Sequence, residues 1–409
     1  MVIRRACLLL VLPVILCGCG AVQTGGVVRA AVTRSNPAVP GSDAAALRAG
    51  DSVFAGRLLN QVAHGNVVVS PFSVTEALAM TLAGSRGVTA RQLASALDFG
   101  LTGARLHAAL DAVDRELSQI GGLSVANALY GQQGYAFRTA FLDLLARYYG
   151  AGMHTVDYEH ATERAREAIN RWVSSQTHGK IPQLMPPGVL DAYTRLVLVD
   201  AVYLKAHWLL PFDRVNTRPA PFHAPSGAIT TPTMHEIGTL PYLRATGYQA
   251  VELAYTGGRL AFDILLPDQG RLSWLEHRLA TTGPLGLLAG LRPERLGLSL
   301  PTFTLRTQTH LKDALSRLGM PLAFYAGLAD LSGIADGPLY LKDVVHEAYI
   351  RVDERGTEAA AATGAVVEIS SLPAPPQLMV KVDHPFVFVL RDTSTGAILF
   401  EGVVSDPLG

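Results

Sequence analysis

Small or apolar residues alternate with other positions most regularly between Gly356 and Ser371, in the stretch GTEAAAATGAVVEISS. Every second residue (Thr357, Ala359, Ala361, Thr363, Ala365, Val367, Ile369) is small or apolar, and the opposite face carries Glu358 and Glu368, the only charges. A period of two predicts a half-buried strand, here with a face small enough to slide between neighbours. An alanine run by itself suits a helix equally well; the flanking glycines and the Thr and Val content favour the strand. Leu372-Pro373-Ala374-Pro375-Pro376 follows, and such a run cannot continue a central strand. A segment shaped as a strand but tied to a proline-rich exposed stretch has two possible places to be.

Other patterns predict the surrounding elements. Leu47, Phe54, Leu58 and Val62 give a helix over Ala44 to His64, and Thr89 to Leu97 gives a second amphipathic helix. Val67-Val68-Val69 reads as a short buried strand running into a helix, with Ser70 able to cap, Pro71 at the first helical position and Glu76 near the helix start. Leu123 to Tyr130 reads as a strand, Ala136 to Tyr149 as helical, and Thr162 to Gly179 as a helix stopped by Gly179. Leu196 to Lys205 is a near-continuous apolar run, the mark of a strand covered on both faces.

Glu354-Arg355-Gly356-Thr357-Glu358 followed by Ala359-Ala360-Ala361-Ala362 resembles the hinge of the serpins, serine-protease inhibitors with a mobile reactive loop. Ser70-Pro71-Phe72-Ser73 and the ending from Asp383-His384-Pro385-Phe386 to Gly402–Pro407 are similar to further serpin motifs, and the likeness spans residues 43–409. The resemblance implies a mixed α/β (α+β) fold with three β-sheets, about eight to nine helices and an exposed reactive-centre loop at 354–376. It implies that Ser70, Ser73, Asp200 and His346 lie where the main sheet parts, with Trp208 at the top of that sheet. The family usually has Asn where this chain has Asp200. A buried carboxylate needs a partner, which suggests an Asp200–His346 pair clamping the closed sheet and making its opening pH-dependent; a harmless swap with water filling the gap is the other reading.

Residues 1–18 read as a targeting segment: Arg4-Arg5, then an apolar core from Cys7 to Leu16, too short to span a membrane. Leu16-Cys17-Gly18-Cys19 resembles a bacterial lipobox with Cys19 as the lipidated residue, although an ordinary secretory signal also places small residues at its cleavage site. The protein is therefore expected outside the cell, lipid-anchored on the outer membrane face or released. All three cysteines lie in this segment and its border, so the body has no disulfide framework. Residues 19–42 read as a flexible tether.

The 34 basic residues balance 34 acidic ones without a basic run, which argues against a nucleic-acid partner. No nucleophile elbow, zinc-protease or phosphate-loop motif is present, and His235-Glu236 lacks a second His at the required spacing. The chain reads as a monomer, not an enzyme, without cofactor or metal.

The resemblance implies a suicide-substrate mechanism, in which a cleaved loop inserts as a strand and drags the acylated protease with it. Burial of the seven inward side chains and their ladder is worth on the order of 10 kcal/mol. Inserting about 15 residues moves the cut end about 50 Å. The family's hinge-to-site spacing, counted from Glu354, puts the scissile bond between Ser370 and Ser371; a backward count from Pro385 falls near Ala374, after a proline. Ile369-Ser370 suits an elastase- or subtilisin-like protease, and the alternative Leu372 a chymotrypsin-like one; no Lys or Arg invites a trypsin-like one. A non-inhibitory, serpin-fold surface protein that is a protease substrate or binding module is the competing reading.

Overall fold

A computed structural model describes residues 26–357 and 377–409. The signal segment, Cys19, hinge residues Glu358 to Ala362, the Ser370–Ser371 bond and its alternative Leu372 lie outside the described residues.

Residues 26–40 are not a free tether. Val27–Val28 form strand β1 on the edge of a sheet, and helix α1 starts at Gly41 and ends at Val62. Backbone bonds at Gly26, Val27, Val28 and Ser35 and the Arg34 side chain hold this stretch, and none leaves a periodic mark in the sequence. β2 (Val67–Val69) is wholly buried, and Pro71 opens α2 (Pro71–Gly84). Ser70 precedes that helix without a side-chain capping bond, and Glu76 lies past the first turn, buried and bonded elsewhere. α3 (Gly87–Ala96) and α4 (Gly103–Leu117) follow, then β3 (Leu123–Gln132). The region from Ala136 to Tyr149 resolves into α5 (Thr139–Leu144) and one π-helical turn, Leu145–Tyr149, ended by Gly150 at φ 59°. β4 (Met153–Val156) leads into α6 (Tyr158–Gln176), whose N-terminus is capped by Asp157 accepting from the His160 N–H.

β5 (Leu196–Leu204) is buried at every position. Leu196 and Leu198 face the helical core while Val197 and Val199 face α6, which explains the unbroken apolar run. β6 (Ala206–His207), β7 (Arg218–Ala224), β8 (Gly227–Ala245), β9 (Tyr248–Ala254) and β10 (Leu260–Pro267) come next. The remainder runs α7 (Leu272–Thr282), α8 (Pro284–Leu288), β11 (Arg292–Pro301), β12 (Phe303–His310), α9 (Lys312–Arg317) and β13 (Val344–Asp353). β14 (Gly356–Thr357), β15 (Leu378–Lys381), β16 (Phe386–Asp392) and β17 (Ile398–Val404) complete it.

The result is a mixed α/β fold with nine α-helices among the described residues. Three sheets were expected; hydrogen bonding joins the strands into two. The first runs β1-β4-β3-β5-β13-β14-β6, with β12 on β13; the second runs β15-β11-β8-β9-β10-β16-β17-β2, with β7 on β8. The merger is made by β8, whose 19 residues pair successively with β7, β11 and β9. Between the sheets, Phe262, Phe303, Phe386 and Phe388 pack ring to ring.

One core position breaks the hydrophobic rule. Glu401, central in β17, is fully buried and neither carboxylate oxygen has a hydrogen-bond partner. Burial, with the nearby Asp51, pushes its pKa up to about 8; burial also pushes Asp51 up to about 6, against the Thr75 hydroxyl and the Ile398 backbone. Both groups hold protons more tightly folded than unfolded. Their contribution to stability is therefore complete at low pH and is lost as pH climbs through about 6 and about 8, at up to about 1.4 kcal/mol per pH unit per group. Glu401→Gln should raise the urea midpoint at pH 8.5 and change it little at pH 5.5. An equal shift at both values would show that Glu401 does not titrate in this range.

Candidate functional site: the seam between two parallel strands

β5 and β13 run parallel and are hydrogen-bonded over five pairs, from Leu198–Val344 to Val202–Ala348. Among the described residues their ladder stops there, although both strands continue upward. Higher up, β14 lies between β13 and β6, the short strand that follows β5 after Lys205: Thr357 is flanked by Val352 and Ala206, and Gly356 by Asp353 and His207. The first two residues of a new strand thus occupy the top of a seam that is zipped below.

The top is built around Trp208. Its indole stacks on Tyr255 at 4.4 Å and its Nε1–H donates to the Asp353 carbonyl at 2.9 Å. The Tyr255 hydroxyl meets the Thr357 hydroxyl in turn. Glu354 is held by the Thr217 hydroxyl at 2.9 Å and by Arg214 at 3.8 Å, while the Trp208 and Phe212 N–H groups donate to the Arg355 and Glu354 carbonyls. Gly356 sits at φ 147°, and a Cβ there would meet the Ala206 carbonyl oxygen at 2.1 Å. Only glycine fits.

The zipped part has a buried polar cluster behind it. His346 Nδ1–H donates to Asp200 Oδ1 at 2.9 Å, and its Nε2 accepts from the Ser70 N–H at 3.0 Å. That pair of bonds requires a neutral imidazole with its proton on Nδ1. Ser73 Oγ lies 2.7 Å from Asp200 Oδ1 and 2.7 Å from Asn127 Oδ1, and Asn127 Nδ2 donates to Glu76 Oε2 at 2.7 Å. A hydroxyl has one proton and here faces two acceptors. Asp200 Oδ2 is buried without a partner. Burial above all, then Asp114, raises the Glu76 pKa well above the usual carboxylate range, with Asp200 adding to the rise.

The structure therefore brings together Ser70, Ser73, Asp200 and His346, and separately Trp208, Glu354, Gly356 and Thr357. Sequence reasoning missed Asn127, Glu76, Tyr255 and Thr217. Each is an ordinary polar or aromatic residue whose partner lies far away in the chain, so no local spacing marks it. Among the described residues no group of three or more His, Cys, Asp or Glu is placed to hold a metal, and no helix is long and apolar enough to cross a membrane.

The family model described as "Serpin (serine protease inhibitor)" matches residues 51–407. An uncharacterized serpin-like protein of Thermococcus kodakarensis is 38% identical over 355 residues, 84% of this chain and 81% of its own length. Human leukocyte elastase inhibitor is 36% identical over 360 residues, covering 84% of this chain and 93% of the relative. Among solved structures, the thermophilic serpin tengpin in its native state superposes with a TM-score of 0.84 at 25% identity, over 94% of this chain and 100% of that one. Serpin48 of the insect Tenebrio molitor gives 0.78 at 30% identity, over 88% and 98%.

Gly356→Ala should expel β14 from the sheet top. Hydrogen exchange at the Ala206 and His207 amides should then accelerate and Trp208 fluorescence should shift as Tyr255 loses Thr357. Unchanged exchange would mean that the backbone yields without releasing the strand.

Proposed function

The chain belongs to the serpin family, whose members are protease inhibitors rather than enzymes, and from that premise we propose that it traps its target as a suicide substrate by completing the strand that β14 begins. The observation that carries this reading is the register of β14. Continued downward in the same register, the loop passes Glu358 between Arg351 and Lys205, which offer it opposite charge. Ala359 and Ala361 follow on the core-facing side, level with Ile350 and Ala348. Ala361 is the first to reach a zipped pair, Ala348–Val202. Thr363 arrives between Asp200 and His346.

An inserted strand separates Asp200 and His346 by a further ~4.8 Å, so their 2.9 Å bond cannot survive. The Thr363 hydroxyl replaces it, donating to the Asp200 carboxylate and accepting from His346 Nδ1–H. Small side chains at every inward position are what such a slot admits, and Ser370–Ser371 remains the bond whose cleavage frees enough strand to fill it, with Leu372 as the alternative. Ser370 after Ile369 suits a protease with a small primary pocket, and the likeness to leukocyte elastase inhibitor supports that class. The lipobox-like Leu16–Cys19 segment supports export, with Cys19 as the anchor or the chain released.

The mature body is to be incubated with elastase, subtilisin, chymotrypsin and trypsin. A complex that survives boiling, with a released peptide beginning at Ser371, supports trapping at the proposed bond; a peptide beginning at Pro373 moves the bond to Leu372. Clean cleavage without complex or gain in heat resistance would leave the non-inhibitory reading.

The seam cluster also predicts the effect of its carboxylate. The groups facing the His346 ring are Asp200 from β5, Ser70 just before α2 and Ser73 in its first turn, with Asn127 and Glu76 behind. Asp200→Asn keeps an oxygen for His346 Nδ1–H and adds N–H donors to a cluster rich in acceptors, so insertion of the cleaved loop, timed at one fixed pH, should slow. Identical rates in the two proteins would sink the clamp.

A further inference from the structure

Within residues 26–40, Gly26 to Val28 are bound to the outer edge of the first sheet, and Arg34 and Ser35 to α4 and the π-helical turn. At one end, Val27 pairs with His154 and Val28 with Met153 of β4. The Gly26 carbonyl receives the Thr155 N–H at 2.8 Å and the Thr155 hydroxyl at 3.0 Å. Val27 and Val28 are themselves exposed, so backbone bonds rather than apolar burial hold this part. Gly152 makes room for it: a Cβ there would lie 2.8 Å from both Val27 Cγ1 and the Val28 carbonyl oxygen.

At the other end, Arg34 bridges Asp111 at 2.6 Å and Asp114 at 2.5 Å on α4. The Asp111 side chain is 1% exposed. Arg115 donates to the Ser35 carbonyl, and the Ser35 N–H donates to the Arg147 carbonyl at 2.8 Å.

These contacts join β4 to α4, two elements that an opening of the seam would displace relative to each other. Opening the seam carries β5, β3 and β4 away from β13, because these three strands are laddered to one another. α4 is packed on α1 and α2; both helices rest on β17 of the second sheet, and α2 also lies under β3 and β5. A segment fixed to β4 and to α4 therefore resists that displacement. Arg34 also reaches the seam electrostatically. Glu76 sits in the field of Asp114 and Asp200, which push its pKa up, while Arg34 pulls it down. Asp111, Asp114, Glu76 and Asp200 form a run of acids from the sheet edge to the seam, and Arg34 is the cation the N-terminal segment adds to it.

We propose that residues 26–40 are an intramolecular strap that holds the seam closed, docked on the edge of β4 and on the Asp111–Asp114 carboxylates. The proposal rests on the reading that the loop inserts at this seam, and the test separates the two. In the full mature chain, Arg34→Glu reverses the charge and Gly152→Val blocks the ladder sterically, so either variant can serve if the other folds poorly. Hydrogen exchange at the Thr155 amide reports docking. Exchange at amides of Val199, Val202 and Ala348 reports the seam. Loss of loop cleavability during incubation without protease reports spontaneous insertion.

Both variants should speed Thr155 exchange and, with it, seam exchange and spontaneous insertion on the order of tenfold. A peptide of residues 26–40 added in trans should slow both in Arg34→Glu, but not in Gly152→Val, where its binding edge is blocked. Faster Thr155 exchange with an unchanged seam would overturn the strap. Faster seam exchange with no insertion in any variant would support the strap and count against loop insertion instead.

Discussion

The five paired positions between β5 and β13 are the constraint on which the rest of this structure depends. Parallel strands paired in the middle of a sheet are ordinarily buried and final. Here the same pairing ends beneath a strand of two residues that has already entered from above. A strand that must start from nothing bears the cost of fixing its first residues before any ladder bond rewards it. With Gly356 and Thr357 in place, that cost has been met. The strength of the seam beneath them is set by whatever stabilises the zipped pairs, and the Asp200–His346–Ser70 bonds are the most specific such contribution.

Those bonds are imperfect in a particular way. Ser73 owns one proton and faces two acceptors, and one oxygen of Asp200 faces none. A fully satisfied buried network would hold the seam shut in a low-dielectric setting; a partly satisfied one weakens its own closed state. An amide at position 200 would bring donors of its own. The carboxylate brings acceptors only, and one of its oxygens stays unpaired in the closed cluster. Glu401, unpartnered in the second sheet, belongs to the same pattern: the closed molecule carries buried acids that it does not satisfy.

Much of this was legible in the sequence. The unbroken apolar β5 and the Ser-Pro-Phe-Ser junction identify a sheet covered on both faces and the helix that packs under it; of the period-two run from Thr357 to Ile369 only Thr357 lies among the described residues. Asp200 stood out because one carboxylate in an apolar run demands a partner. Asn127 and Glu76 did not, because their meaning comes from a bond across 51 positions that no local pattern encodes. Ser70 and Glu76 looked like helix-start residues and are instead spent on tertiary contacts. The joining of two expected sheets into one depends on how far β8 runs before it bends, which is a property of its successive partners and not of its own residues.

Residues 26–40 show the limit most clearly. A Gly-, Ala- and Val-rich stretch before the first helix has the composition of a tether, and composition cannot reveal an acceptor surface elsewhere. That surface is formed by Gly152, small enough to admit a neighbour, and by Asp111 and Asp114, acids on a helix face that would otherwise point at solvent or at each other. Asp111 is buried against Arg34 and Arg115, and taking a partner from a buried acid costs far more than an exposed ion pair is worth. The arginine therefore has a structural reason to stay, and through it the edge of the sheet is tied to α4. On the strap proposal, closure of the seam draws on two separate places, the hydrogen-bonded cluster at its centre and the docked segment at its border.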